Sequence, residues 1–166
     1  KEVAGDLAYA LHSLDLEDAR DKAVKELEAS EKRYRNLLES GMDGVTVNIL
    51  GKLVYVNNRF AEMIGYTREE LIGTSIRDLH APEYRELIEE RTRLRHNGVK
   101  VPNYYEVELI RKDGTRLPVA YSVSRIIYEG EPASLTYIRD ISQLKQMTEA
   151  LQKSEAQYRV LVESAQ

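Results

Sequence analysis

Residues 54–73 read VYVNNRFAEMIGYTREELIG, and this stretch decides the fold. Val54 to Val56 close a strand. Asn57 or Asn58 then supplies an N-cap for the helix NRFAEMIG, which stops at Gly65. Thr67 and Glu70 stand three apart as a capping box for a second short helix, closed by Gly73. Upstream, VTVNI at 45–49 is a strand, and Asn48 and Gly51 provide the turn chemistry that returns the chain into Leu53–Val56. Downstream, Pro82 occupies a first helical position and opens PEYRELIEERTRLRHNG, which ends at Gly98. Three longer strands follow at about 103–111, 116–126 and 133–139, with Asp113-Gly114 and Glu129-Gly130 as the turns between them. Asp140 with Gln143 caps the next helix. Two strands, several short helices and a three-strand meander make an α+β fold: one antiparallel sheet with helices gathered on one face. Val119, Tyr121 and Val123 alternate with Ala120, Ser122 and Ser124, so they point at those helices.

Outside this middle the composition changes. Residues 1–41 and 141–166 are rich in Ala, Leu, Glu, Lys, Arg and Gln, and all four prolines lie between them. The chain therefore divides into an N-terminal helix (1–41), a mixed domain (42–140) and a C-terminal helix (141–166). Residues 27–40, LEASEKRYRNLLES, return at 151–164 as LQKSEAQYRVLVES, identical at eight of fourteen positions without a gap. A repeat at this spacing announces an array of whole domains, with a further copy beginning beyond Gln166. In the second helix Leu144, Met147, Leu151, Ser154, Tyr158, Leu161 and Ala165 fall at alternating steps of three and four, the seam of a left-handed coiled coil. The first helix carries the same register at Ala23, Leu27, Ser30, Tyr34 and Leu37. The seam is too narrow for a globular face, so the expectation is a homodimer through Leu27, Tyr34, Leu37, Leu144, Met147, Leu151, Tyr158 and Leu161.

Composition excludes several classes. The 166 residues carry a net charge of −4 with no basic patch interleaved with aromatics, so no nucleic acid is expected as a partner. Cysteine is absent, which removes disulfides, thiolate metal sites and cysteine nucleophiles. No apolar run approaches the ~20 residues of a membrane span. The chain opens on Lys rather than Met and reads as a fragment of a cytoplasmic protein, or as the soluble part of a receptor whose anchor lies elsewhere. There is no G-x-S-x-G, no phosphate-cradling glycine loop and no His/carboxylate metal spacing, so no enzymatic activity and no metal site is expected.

The motifs together resemble the PAS family of sensory domains. VYVNNRFAEMIGYTREELIG matches that family's strand-Asn-helix passage, RKDGT (111–115) its hairpin before the penultimate strand, and SEKRYRNLLESGMDG its lead-in from a signalling helix. YIRDIS (137–142) is similar to its closing signature, normally Asp-Ile-Thr, with Ser142 here in the last place. The resemblance spans about residues 27–158. It implies a five-stranded sheet in the order 2-1-5-4-3, a pocket for a small ligand or cofactor beneath the helices, and flanking helices that connect to a neighbouring PAS domain or an output kinase. It makes Asp140, Ile141 and Ser142 the transmission junction. Within this frame the expected pocket lining is Val56, Phe60, Met63, Ile64, Ile76, Leu87, Tyr121, Val123, Leu135 and Tyr137. The alternative is a spacer that binds nothing and acts only in dimerisation and relay.

No cofactor is named by the sequence. Family members that form a covalent flavin adduct need a cysteine, which this chain lacks. Haem-binding members use a histidine on the long helix. Here His96 sits at that helix's end and His80 precedes it, and both read as surface residues, so haem is disfavoured.

Overall fold

Why the chain turns back after β1 is visible in two residues. In the computed structural model, β1 (Gly44–Ile49) and β2 (Lys52–Val56) are joined through Leu50 and Gly51, at φ 48° and 84°. Two successive left-handed residues give a turn whose twist matches the flanking strands, and glycine accepts that conformation without steric cost. The Asn48 side-chain oxygen accepts the Gly51 N–H at 3.2 Å and holds the turn closed.

The structure describes residues 2–164, with side chains except at 2–4, 6, 8, 10, 34, 35 and 37–40. The chain forms two units, divided between Ser40 and Gly41. The first is a single helix, α1 (Glu2–Ser40). The second contains β1 and β2, then α2 (Asn58–Ile64), α3 (Arg68–Leu71), the 3-10 turns η1 (Ile76–Leu79) and η2 (Pro82–Tyr84), and α4 (Arg85–His96). It closes with β3 (Tyr104–Ile110), β4 (Arg116–Tyr128), β5 (Glu131–Asp140) and α5 (Ser142–Ser164). The five strands are antiparallel in the order β2-β1-β5-β4-β3, as the resemblance implied. Pro82 opens a 3-10 turn rather than the long helix itself, which starts three residues later at Arg85.

Both caps of α2 and the N-cap of α3 are those read from the sequence, whereas α3 has Ile72 rather than Gly73 as its C-cap and α4 has Asn97 rather than Gly98. Asn57, not Asn58, is the N-cap of α2, and its side chain accepts the Phe60 N–H. Gly65 ends that helix in the left-handed conformation (φ 77°), with its N–H bonded to Ala61 O. Thr67 and Glu70 form the reciprocal capping box on α3. Between sheet and helices, Leu53, Val56, Phe60, Ile64, Leu71, Ile88, Leu109, Leu117, Val119, Tyr121 and Ile138 form one core. At roughly 25 cal/mol per Å² of apolar surface buried, this packing is the main favourable term for the domain.

Candidate functional site

The inner face of the sheet is not uniformly apolar. Thr46 on β1 lies directly opposite Thr136 on β5, and Asn48 opposite Ser134. All four are buried. Across β5, Ile138 is paired with Tyr121 on β4. Over this face lie Phe60 from α2 and Ile76, Leu79 and His80 from the segment around η1. All of these but Ser134 line a chamber of about 20 Å³, together with Leu53 and Leu109. That is room for about one water molecule.

His80 is fixed in this wall by its backbone. It bridges Leu109, and the next N–H, of Ala81, donates to Glu108 O at 2.9 Å. Its ring Nδ1 lies 2.6 Å from Ile76 O, and its Nε2 lies 2.9 Å from the Tyr121 hydroxyl. A carbonyl oxygen can only accept, so Nδ1 carries the proton and Nε2 of the neutral ring accepts from Tyr121. Burial holds the ring neutral by pulling its pKa down to about 4. Burial likewise pushes the Tyr121 hydroxyl well above its ordinary value, so it remains a donor. The two rings meet edge to face at 5.6 Å. Tyr105 packs on Tyr121 at 5.7 Å, and the Arg91 guanidinium lies 4.3 Å from the Tyr105 ring centre. A chain of contacts thus runs from α4 to the chamber.

The lining expected from the sequence is brought together in part. Val56, Phe60, Met63, Ile64, Tyr121 and Val123 all belong to the core, with Ile76 packed against it. Phe60, Ile76 and Tyr121 touch the chamber. Three others do not belong to the inner face. Leu87 is 37% exposed, and its neighbour Ile88, at 2%, turns inward instead. Leu135 and Tyr137 have the parity of the outer face of β5, with Tyr137 41% exposed, while Thr136 and Ile138 line the chamber. The expectation that His80 is a surface residue fails as well: it is 1% exposed. Thr46, Asn48, His80 and Thr136 are the polar lining that sequence reasoning missed. The available signal was the alternation on β5, which assigns Thr136 and Ile138 to one face once the facing register with Tyr121 is known.

At the other end of β5, the junction residues occupy one short corner. Asp140 ends the strand, and its carboxylate accepts the Ser142 N–H at 2.8 Å. Ile141 is buried; its N–H donates to Pro118 O on β4 at 3.1 Å, and its carbonyl receives the first helical bond, from Lys145 N at 2.9 Å. Arg139 is held by Asp43, just before β1, through two bonds of 3.0 and 2.8 Å. Lys145 on α5 pairs with Glu106 on β3 at 3.3 Å. Beyond this corner α5 buries no residue, and Leu144, Met147, Leu151, Tyr158 and Leu161 are all exposed. Leu27 on α1 is exposed too, whereas the side chains of Tyr34 and Leu37 lie outside the described residues.

The chamber does not fit a haem or a flavin. Such groups need pockets of several hundred Å³, and the one histidine nitrogen that could ligate iron here is engaged by Tyr121. His96, at the end of α4, directs Nδ1 at Pro132 O (3.1 Å), away from the chamber lining. Among the described residues no helix is long and apolar enough to cross a membrane.

Comparison with known proteins agrees with this architecture. The family model for the PAS domain matches residues 42–143. Sporulation kinase A of Bacillus subtilis is 29% identical over 133 residues, which cover 80% of this chain and 22% of that protein. The oxygen sensor protein DosP of Escherichia coli is 32% identical over 113 residues, covering 63% of this chain and 14% of that protein. The chain thus spans less than a quarter of these relatives. Among solved structures, the PAS domain of an HTR-like protein from Haloarcula marismortui superposes with a TM-score of 0.64 at 28% identity, over 73% of this chain and 99% of that one.

Proposed function

The chain belongs to the PAS domain family, and from that membership we propose that it is the sensory and relay module of a larger signalling protein. It pairs with a second copy through its flanking helices and passes changes in the domain core to α5 through Asp140, Ile141 and Ser142. It carries no catalytic group of its own; the output, a kinase or a further PAS domain, resides elsewhere in the full protein. Its likeness to Sporulation kinase A and to an oxygen sensor supports this reading.

One observation carries the proposal. Ile141 is buried against the sheet while the helix that begins one residue later leaves with every described seam position exposed. In proteins most helical stability comes from packing of an amphipathic face rather than from intrinsic propensity. The apolar stripe of α5 is a heptad seam, for which a second copy supplies the matching surface. Movement of β5 relative to β4 therefore acts directly on the first turn of α5, and a coiled coil has closely spaced alternative packings on which such movement can act. The dimensions of the chamber weigh against a sensor of large cofactors and favour relay, with room only for small guests.

Sedimentation of the purified chain tests the pairing. The expected result is a dimer that Leu151→Lys converts to monomer. A wild-type chain that stays monomeric at about 1 mM, where any association is weaker than about 4 kcal/mol, would remove the basis for the reading.

A further inference from the structure

Lys145 stands where a helix disfavours it. It closes the first turn of α5, a turn that holds no acidic residue. A cation there meets the positive end of the helix dipole, so helix stability alone does not account for its place. Its partner is on the sheet. The Lys145 Nζ lies 3.3 Å from Oε2 of Glu106 on β3, with both side chains half-buried. Glu108, the next outward residue of that strand, is taken by Arg116 at 2.7 Å. Register explains how the helix reaches this acid. Glu106 pairs with Ala120 on β4, and Ala120 with Arg139 on β5, so the three form one row on the outer face. Adjacent strands lie about 4.8 Å apart, which sets Glu106 and Arg139 about 10 Å apart. Ala120, between them, is small and 5% exposed. Arg139 ends the row against Asp43, with bonds of 3.0 and 2.8 Å. From Ile141, whose N–H is held by Pro118 O on β4, one turn of helix carries the chain to Lys145 over Glu106. Helix α5 thus leaves β5, passes over β4 and is clasped to β3. Along that path Asp43, Arg139, Glu106 and Lys145 alternate in sign.

We propose that Lys145 and Glu106 are positioning residues of the relay: their ion pair sets the direction in which α5 leaves the sheet and makes that direction sensitive to ionic strength. An exposed pair biases an equilibrium by only about two- to fivefold. That is too little to hold a fold together, and enough to tilt the balance between two helix arrangements of similar energy. Salt acts on the same balance. Screening shortens from about 10 Å at 0.1 M to about 3 Å at 1 M, so the clasp weakens while the buried Ile141 contact does not. The signalling meaning of the clasp rests on the relay reading above; its geometry does not.

Two spin labels on one chain report the direction of α5 within a single copy. Ser124→Cys on β4 and Gln152→Cys on α5 are both exposed, and excess unlabelled chain removes distances between copies. At low salt the parent is expected to show one dominant distance. Lys145→Glu sets two acids face to face while suiting the helix dipole better. It is expected to lower the dominant population by about two- to fivefold relative to the alternatives, with helix content by circular dichroism unchanged. Exchanging the charges, Glu106→Lys with Lys145→Glu, is expected to restore the parent distribution, and Lys145→Arg to keep it. Salt at about 1 M is expected to move the parent in the same sense as Lys145→Glu. Superimposable distributions for the parent and Lys145→Glu, or no restoration by the exchanged pair, would overturn the proposal. A loss of helix content in Lys145→Glu would overturn it too, by making Lys145 a stabiliser of α5 rather than a positioner. A parent unmoved by salt would overturn the ionic-strength dependence. Sedimentation of the same chains separates this from the relay reading. A monomer with the predicted distances keeps the clasp and removes the relay, and a dimer whose distances ignore these charges does the reverse.

Discussion

The side-chain amide of Asn57 joins three segments. Its oxygen accepts the N–H groups of Val45 (2.8 Å) and Phe60 (2.9 Å), and its nitrogen donates to Asp43 O at 3.2 Å. The residue is fully buried. Replacing it by alanine removes a helix cap and leaves a buried strand N–H without a partner, so Asn57→Ala is expected to cost roughly 2–4 kcal/mol in denaturant unfolding. This residue was legible from its position between strand and helix; His80 was not. A histidine beside Pro82 reads as a loop residue, because the tyrosine that satisfies it is 41 positions away in sequence. The pH dependence of stability exposes its burial. The folded ring has a pKa near 4 against an ordinary 6.5, so between those values the unfolded chain binds a proton that the folded chain refuses. This contribution to stability is complete above pH 6.5 and is lost as pH falls toward 4, by roughly 3 kcal/mol in total. Wild-type melts across that window are expected to show a fall that His80→Leu lacks. Equal slopes in the two proteins would place the histidine in solvent.

At the scale of elements, the helices and strands were legible because their ends carry chemistry. Asn57, Thr67 with Glu70, and the glycines at 65 and 73 mark where short helices begin and stop, and Glu129-Gly130 marks a hairpin. Facing was harder to read. β5 presents Ala133, Leu135 and Tyr137 on one parity and Ser134, Thr136 and Ile138 on the other. Hydropathy selects the first set, yet the second faces the core. Period two separates the faces but does not say which is inside when the outer face also carries apolar residues. Helix α4 misled in a related way. Leu87 and Ile88 are adjacent, about 100° apart around the helix, and the 3-10 turn at Pro82–Tyr84 resets the phase before α4 starts. The observed phase makes a sharp distinction. Ile88→Ala is expected to destabilise by about 2–5 kcal/mol, and Leu87→Ala by less than about 1. Comparable losses in chemical denaturation would contradict the burial of Ile88 over Leu87.

For the whole molecule, sequence alone supplied the arrangement of domain and flanking helices, since the repeat at 27–40 and 151–164 and the heptads are patterns of spacing. The size of the chamber was not available that way, because it depends on how six or more side chains from distant segments fill one space. In the proposed dimer, Ser154 is the polar step of the α5 seam. A parallel, in-register pair sets it against its own copy. Ser154→Leu is then expected to tighten the dimer by at least about tenfold, and Leu151→Lys to weaken it by at least about a hundredfold, both read by sedimentation.

In the proposed relay, the state of the core is felt along α5. Tyr121 touches His80 on one side and is paired with Ile138 on the other, two residues before the Asp140 corner. The chain has no cysteine, so Gln157→Cys gives a single spin-label site beside the seam. Inter-chain distances from that label, measured by pulsed dipolar spectroscopy with and without Tyr121→Phe, are the most direct test. A defined inter-chain distance is expected in the parent, with a shifted mean or altered proportion of two distances when the Tyr121–His80 bond is removed. Superimposable distance distributions in the two proteins, both folded, would contradict it.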